Sequence, residues 1–262
     1  MYEPFLKVYR ESAPKAGQVE IFWLGQAGFA IKMANGKTLA IDPYFSDFVH
    51  RTIPQEGLGY KRIMPPPCAP EELDPDYLLI SHEHGDHFDQ DSFAGFLKSG
   101  KTQVYTNCTS AKDMPALGAD MSRVHVLEKN VPVELDGCTL LPVDCDHGPL
   151  APEALGFILD FGGYTVYYAG DTALSWDRLK VPMEKQPDVA ILPINGEYGN
   201  LNGYEAAEYA GALKSKAVIP CHFWTFPRHK GCPQEIIESL PKSAPDCELA
   251  LLYQGESLVW PR

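Results

Sequence analysis

The sequence predicts an α/β (α+β) protein built as a four-layer αββα sandwich, with two sheets face to face and helices outside. Three observations carry that prediction. The chain opens on closely spaced strands, then alternates strands with helices, and its second half repeats this order. No linker divides the halves and no short-period repeat appears, so residues 1–262 read as one domain.

The elements follow from local pattern. Residues 1–17 are polar with two prolines and are expected to wrap over the surface. Strands follow at 19–24, 29–33 and 38–42, separated by the turn Gly25-Gln26-Ala27-Gly28 and by the hairpin signal Asn35-Gly36. Residues 44–75 are rich in proline and glycine and read as a long loop, either a functional lid or a collar over a sheet edge. The apolar run Tyr77-Leu78-Leu79-Ile80 reads as a buried strand. A helix is expected from Asp91 to Gly100, a strand at 103–106 and a short helix at 110–117. Strands are then expected at 124–127, 131–135, 139–143, 157–161, 165–169, 189–193 and 217–220, with a helix over 176–180. Asn202-Gly203-Tyr204-Glu205 resembles a capping box opening a helix to Lys214. A helix at 234–240 and strands at 248–252 and 257–260 close the chain.

Composition excludes several functions. The net charge of -13 repels a phosphate backbone, and the longest basic cluster, Arg228-His229-Lys230, is too small for a nucleic-acid footprint. No apolar run approaches the roughly 20 residues that cross a bilayer. Seven cysteines, odd in number and without a CxxC pair, fit reduced thiols. The opening Met1-Tyr2-Glu3-Pro4 lacks the basic and apolar regions of a secretory leader, so a cytoplasmic protein is expected, with no nucleic-acid or membrane partner. Homo-oligomerisation stays open.

The densest chemistry lies in Ser81-His82-Glu83-His84-Gly85-Asp86-His87-Phe88-Asp89, where the strand 77–80 runs out into a loop. In extended chain His82 and His84 point the same way. Gly85 lets the chain bend without a Cβ penalty, so Asp86 and His87 swing back toward the first pair. Imidazoles with a carboxylate suit zinc and similar divalent ions. Asp42-Pro43, at a strand end, reads either as a turn acid or as a carboxylate orienting a metal-binding histidine. Three more candidates stand past strand ends: His147, Asp171 and His222. Each alone has a plainer reading. Asp171-Thr172 could cap a helix, His222 could be a satisfied core histidine, and His147 could be a loop residue held by Asp146.

Taken together, the HxHxDH run after a buried strand, then His147, then Gly170-Asp171-Thr172, then His222 after a buried strand, resemble the metallo-β-lactamase superfamily over roughly Glu20 to Trp224. The resemblance implies one metal site from His82, His84 and His147, and a second from Asp86, His87 and His222 with Asp171 bridging. It implies one or two divalent ions, zinc first with manganese or iron also fitting, and a metal-bound hydroxide as nucleophile. Paired ions in such sites lie about 3.5–4 Å apart. Asp86 is the candidate for orienting the water or passing its proton. Trp23-Leu24-Gly25-Gln26-Ala27-Gly28-Phe29 leading to Ile41-Asp42, and Asn195-Gly196 to Ala207 followed by Lys216-Ala217-Val218-Ile219-Pro220-Cys221-His222, are most similar to the L-ascorbate-6-phosphate lactonase branch. The expected function is hydrolysis of a small-molecule ester or lactone, with Asn195, Tyr198, Arg228 and His229 as candidate substrate contacts and Arg228, His229 and Lys230 able to meet an anionic group. The alternatives are a phosphodiesterase of the same fold, a non-hydrolytic di-iron oxidoreductase, or a non-catalytic metal-binding or partner-binding protein.

Overall fold

The computed structural model describes residues 4–262. The opening Met1–Glu3, read above for the absence of a leader, lies outside them. The chain forms two compact units interleaved in sequence. The first runs to Leu127 and takes in Thr225–Pro227 and Leu252–Arg262; the second comprises Glu128–Trp224 and Arg228–Leu251. Each holds one mixed seven-stranded sheet.

In the first unit the strands are β1 (Val19–Gly25), β2 (Gly28–Met33), β3 (Thr38–Ile41), β4 (Tyr77–Ile80), β5 (Gln103–Thr106) and β6 (Val124–Val126), with the last strand of the chain, Ser257–Trp260, beside β1. β1, β2 and β3 pair antiparallel, and β3 to β6 pair parallel. It follows that β1, β3 and β4 run in one direction and their C-terminal ends share one edge of the sheet. Helices α1 (Phe5–Glu11), α2 (Phe48–Thr52), α3 (Pro70–Leu73) and α4 (Gln90–Phe96) accompany it. The core is aromatic: Phe5, Tyr9, Phe22, Phe45, Phe88, Phe93 and Phe96 are buried together with Leu78 and Ile80.

In the second unit the strands are β7 (Val133–Leu135), β8 (Cys138–Asp144), β9 (Leu155–Asp160), β10 (Thr165–Tyr168), β11 (Val189–Pro193), β12 (Ala217–Cys221) and β13 (Glu248–Leu249), in sequence order across the sheet. β7 to β10 pair antiparallel and β10 to β13 parallel. Here β8, β10 and β12 run in one direction, so their C-terminal ends also share an edge. Helix α6 (Gly203–Leu213) begins at the expected capping box, in which Asn202 accepts from Glu205 N–H and the Glu205 carboxylate accepts from Asn202 N–H. The last strand of the chain is β14 (Ser257–Trp260).

Five expectations are corrected. Residues 5–11 are a helix and not a surface wrap, because Phe5 and Tyr9 at i,i+4 stack at 5.2 Å and pack edge-on against Phe22. The segment 44–75 is no plain loop: it contains α2, α3 and a 3-10 turn over Pro54–Tyr60. The short helix at 110–117 is two 3-10 turns, Ser110–Lys112 and Met114–Leu117, broken at Asp113 before Pro115 in the second turn. The helix placed at 176–180 lies one turn later, as α5 (Lys180–Lys185), with Pro182 tolerated in its first turn. The strand at 248–252 stops at Leu249. Among the described residues no helix is long and apolar enough to cross a membrane. All seven cysteines are free thiols.

Candidate metal centre

The first unit holds a contiguous set of candidate ligands. β4 delivers Ser81 and His82 into the loop, where His87 and Phe88 N–H both close onto the carbonyl of His84. This turn folds the second pair back on the first: the rings of His82 and His87 lie 4.0 Å apart and those of His82 and His84 4.6 Å apart. Gly85 serves a different purpose from the expected one. A Cβ there would meet the Phe48 ring at 2.7 Å, so glycine admits the close approach of α2. Asp89 caps α4 and also accepts from the N–H groups of Phe45 and Ser46, at 2.8 and 2.9 Å, tying the exit of β3 to the histidine loop.

Asp42 sets the histidines' protonation. Its Oδ1 accepts from Ser81 N–H at 2.7 Å, and its Oδ2 accepts from both the Ser81 hydroxyl and His87 Nδ1, the latter at 2.7 Å. A carboxylate only accepts, so His87 carries its proton on Nδ1. Having given its one proton to Asp42, Ser81 Oγ must accept from His82 Nδ1, 2.9 Å away. In their neutral form both rings therefore carry the lone pair on Nε2. That of His82 lies 3.1 Å from His84 Nδ1, and that of His87 lies 3.8 Å from Asp86 Oδ2. Asp42, His82 and His87 are themselves close enough to form a donor triad, but with both carboxylate oxygens engaged Asp42 supports the ligands. Ser81 and Gln26 were missed in the sequence. Gln26, fully buried, donates from Nε2 to Asp86 Oδ2 at 2.8 Å.

The second unit contributes a dispersed set from the ends of β8, β10 and β12. Asp171 stands between two histidines: its Oδ2 lies 3.7 Å from His147 Nε2 and its Oδ1 3.1 Å from His222 Nε2. Asp171 thus turns one carboxylate oxygen toward each imidazole. No helix starts at Asp171, so the capping reading fails. Thr172 instead pins the His147 loop: its Oγ1 accepts from Asp146 N–H at 2.8 Å, and Ala173 N–H donates to Asp146 O at 2.8 Å. The Asp146 carboxylate meets Arg178 at 3.1 Å and Gly148 N–H, so it is engaged away from the His147 ring.

His222 stacks on His229 with ring centroids 4.8 Å apart, and Tyr198 approaches His229 at 5.8 Å. The three basic residues are placed differently. His229 is buried against a candidate ligand, Lys230 pairs with Glu197 at 2.9 Å, and Arg228 faces solvent. Lys230 holds the Glu197 carboxyl below the usual carboxylate range. Asn195 is buried, with its amide directed to Glu197 O at 3.4 Å. Left-handed backbone marks Gln26, Asp42, Tyr198, His222 and Trp224, none of them glycine. Such strain persists where surrounding structure fixes it, and it clusters at functional sites.

Each unit's donors suit a divalent ion. They are imidazole nitrogen and carboxylate oxygen, with His82 and His87 buried in the first unit and His147 and His222 buried in the second.

Comparison with known proteins agrees with this chemistry. Residues 20–222 match the family model of the Beta-lactamase superfamily domain. A UPF0173 metal-dependent hydrolase of Methanopyrus kandleri is 28% identical over 250 residues, covering 91% of this chain and 99% of the relative. Among solved structures, a possible metal-dependent hydrolase from Veillonella parvula aligns with a TM-score of 0.75 at 21% identity, over 94% of this chain and 99% of that one. An isothiocyanate hydrolase from Delia radicum gut bacteria aligns with a TM-score of 0.72 at 21% identity, over 91% and 98%. At these identities the structural likenesses show the fold: two mixed sheets with helices, the α/β metallo-β-lactamase architecture.

Proposed function

The chain belongs to the metallo-β-lactamase superfamily, and on that premise we propose that it is a metal-dependent hydrolase that opens a small-molecule ester or lactone. The observation that supports the reading is the tautomer control in the 81–87 loop, where Asp42 and Ser81 hold Nδ1 of His87 and of His82, so that Nε2 carries the lone pair of each neutral ring. A core histidine needs only a satisfied ring, whereas two rings set the same way by one buried carboxylate are organised as ligands.

The motif order of the family assigns His82, His84 and His147 to one ion, and Asp86, His87 and His222 to another, with Asp171 shared. A bound divalent ion polarises the scissile group and makes water acidic enough to attack near neutral pH. This chain's residues supply the rest. His82, His84 and His87 would offer ring nitrogens as donors, with Asp42 holding two of the rings, His87 directly and His82 through Ser81. With a single ion bound, Asp86, whose side chain retains 14% exposure beside the fully buried His87, would hold the attacking water and take up its proton at a carboxylate oxygen. Recognition of an anionic group on the substrate would draw on the exposed Arg228 and Lys230, the latter paired with Glu197 at 2.9 Å.

The test is elemental analysis of the purified protein, followed by a substrate panel of lactones, carboxylic esters, phosphodiesters and an isothiocyanate. About two equivalents of zinc or manganese, with lactone or ester turnover abolished by chelation, is the expected result. Turnover confined to phosphodiesters would replace the substrate class. Redox-active iron with a visible absorption band would move the reading to the oxidoreductase alternative. A chain that takes up no metal even on reloading would overturn it.

A further inference from the structure

We propose that Gln26 is a positioning residue for Asp86, and that the Gly25–Gly28 turn is a working part of the metal centre. The inference rests on the hydrolase reading above and adds a residue to it. β1 runs alongside β3 and β4 in direction, so the turn after β1 lies at the edge of the sheet that carries Asp42 and the histidine loop. The turn is pressed onto that edge. A Cβ at Gly28 would meet the Asp42 carbonyl oxygen at 3.2 Å and Pro43 Cα at 3.3 Å, contacts only glycine leaves comfortable.

Within the turn Gln26 is held at both backbone ends. Its N–H donates to Thr225 Oγ1 at 2.9 Å, and its carbonyl accepts from Trp23 Nε1 at 3.0 Å. Its φ is +51°, a conformation a long side chain adopts only when the surroundings impose it. The outcome is a fully buried amide whose Nε2 donates to Asp86 Oδ2 at 2.8 Å. That oxygen is the one facing His87 Nε2. A hairpin turn in solvent needs none of this. Asparagine or glycine would make the turn at lower cost. A glutamine here extends an amide to a carboxylate 60 residues away in sequence and fixes the rotation of that carboxylate. Asp86 therefore meets a cation or a water with one oxygen already oriented, and Gln26 touches neither.

The experiment titrates apo protein with Co(II), following its visible absorption and dissociation constant, for wild type and Gln26→Asn. Asparagine tolerates the left-handed backbone but is one methylene too short to reach Asp86. The expected result is about 10–100-fold weaker Co(II) binding with an altered band shape, the scale on which outer partners of ligands act. The thermal midpoint of the apo protein should fall only by what one lost buried hydrogen bond costs, so the altered band shape, which a merely structural role would not move, is the readout that separates positioning. Thr225→Val, which keeps the amide but frees the turn, should weaken binding in the same direction, and Thr225→Ser should restore it. Wild-type affinity and spectrum in both Gln26→Asn and Thr225→Val would overturn the assignment. A wild-type protein that binds no Co(II) would overturn the metal reading itself and this inference with it.

Discussion

The two units build their sheets on one plan and place their candidate ligands in opposite ways. Each sheet is antiparallel on one side and parallel on the other, and in each the ligand-bearing strands run in the same direction. The first unit spends one strand end, that of β4, on His82, His84, Asp86 and His87. The second spends three, those of β8, β10 and β12, on His147, Asp171 and His222. A contiguous set is held by local turns and needs an outside partner to set its tautomers, which Asp42 provides. A dispersed set has no local turn to hold it and depends on contacts between loops. There Asp171 joins the two histidines and Thr172 joins two of the loops.

The largest expected effect follows from that difference. Asp171→Ala removes the carboxylate that meets both His147 and His222. Metal content and turnover should fall together, by more than the about 100-fold at the upper end of what outer partners cost. His84→Ala leaves three donors of the contiguous set in place and should cost less. Elemental analysis of the two variants side by side checks this. Equal metal loss, or full metal and full hydrolysis in Asp171→Ala, would break the contrast between a shared and a replaceable ligand.

A smaller effect separates the two routes by which Asp42 acts. Asp42→Asn disturbs His87 directly and His82 through Ser81, whereas Ser81→Ala disturbs chiefly the second route, its hydroxyl lying 2.9 Å from His82 Nδ1 and 3.4 Å from His87 Nδ1. Metal affinity should fall about 10–100-fold in Asp42→Asn and nearer tenfold in Ser81→Ala. Nitrogen-15 NMR of the imidazoles in the apo protein reads the tautomers directly. In wild type both rings should carry Nδ1–H, and in Ser81→Ala only His87 should keep that form. A His82 ring unchanged by Ser81→Ala would show that the serine carries no proton contact between them.

The same contrast explains what the sequence could tell. The contiguous set is legible because strand, loop and ligands fall within one short window, and Asp42 because it ends a strand. His147, Asp171 and His222 are ambiguous singly, since a lone histidine or aspartate after a strand has several ordinary uses. They become legible only as an ordered set. Ser81 and Gln26 were not legible, because each acts through a carboxylate distant in sequence, at Asp42 and Asp86. Nothing in a serine before a histidine, or a glutamine in a turn, states which acid it will meet. The helix at 5–11 was overlooked for a different reason: its Phe5 and Tyr9 pair was available, but one buried pair in seven residues gives little periodicity. At 176–180, Trp176 and Leu179 imitate a helical face while the backbone only turns, and the helix begins once Lys180 is reached.

The smallest predicted effect tests the dispersed unit's own support. Thr172→Val keeps the shape of the side chain but withdraws the acceptor for Asp146 N–H. Thr172 is fully buried and Asp146 partly so. Stranding a backbone donor there costs about 1–3 kcal/mol, against near neutrality for Thr172→Ser, which keeps the hydroxyl. Urea denaturation of the apo proteins measures the difference. The hydroxyl touches the loop of His147 and not the ring, so metal affinity should fall only a few-fold, well short of Asp171→Ala. If Thr172→Val were as stable as wild type yet lost its metal, Thr172 would belong with the ligands rather than with the scaffold. The second unit would then hold its set by direct coordination and not by loop-to-loop contacts.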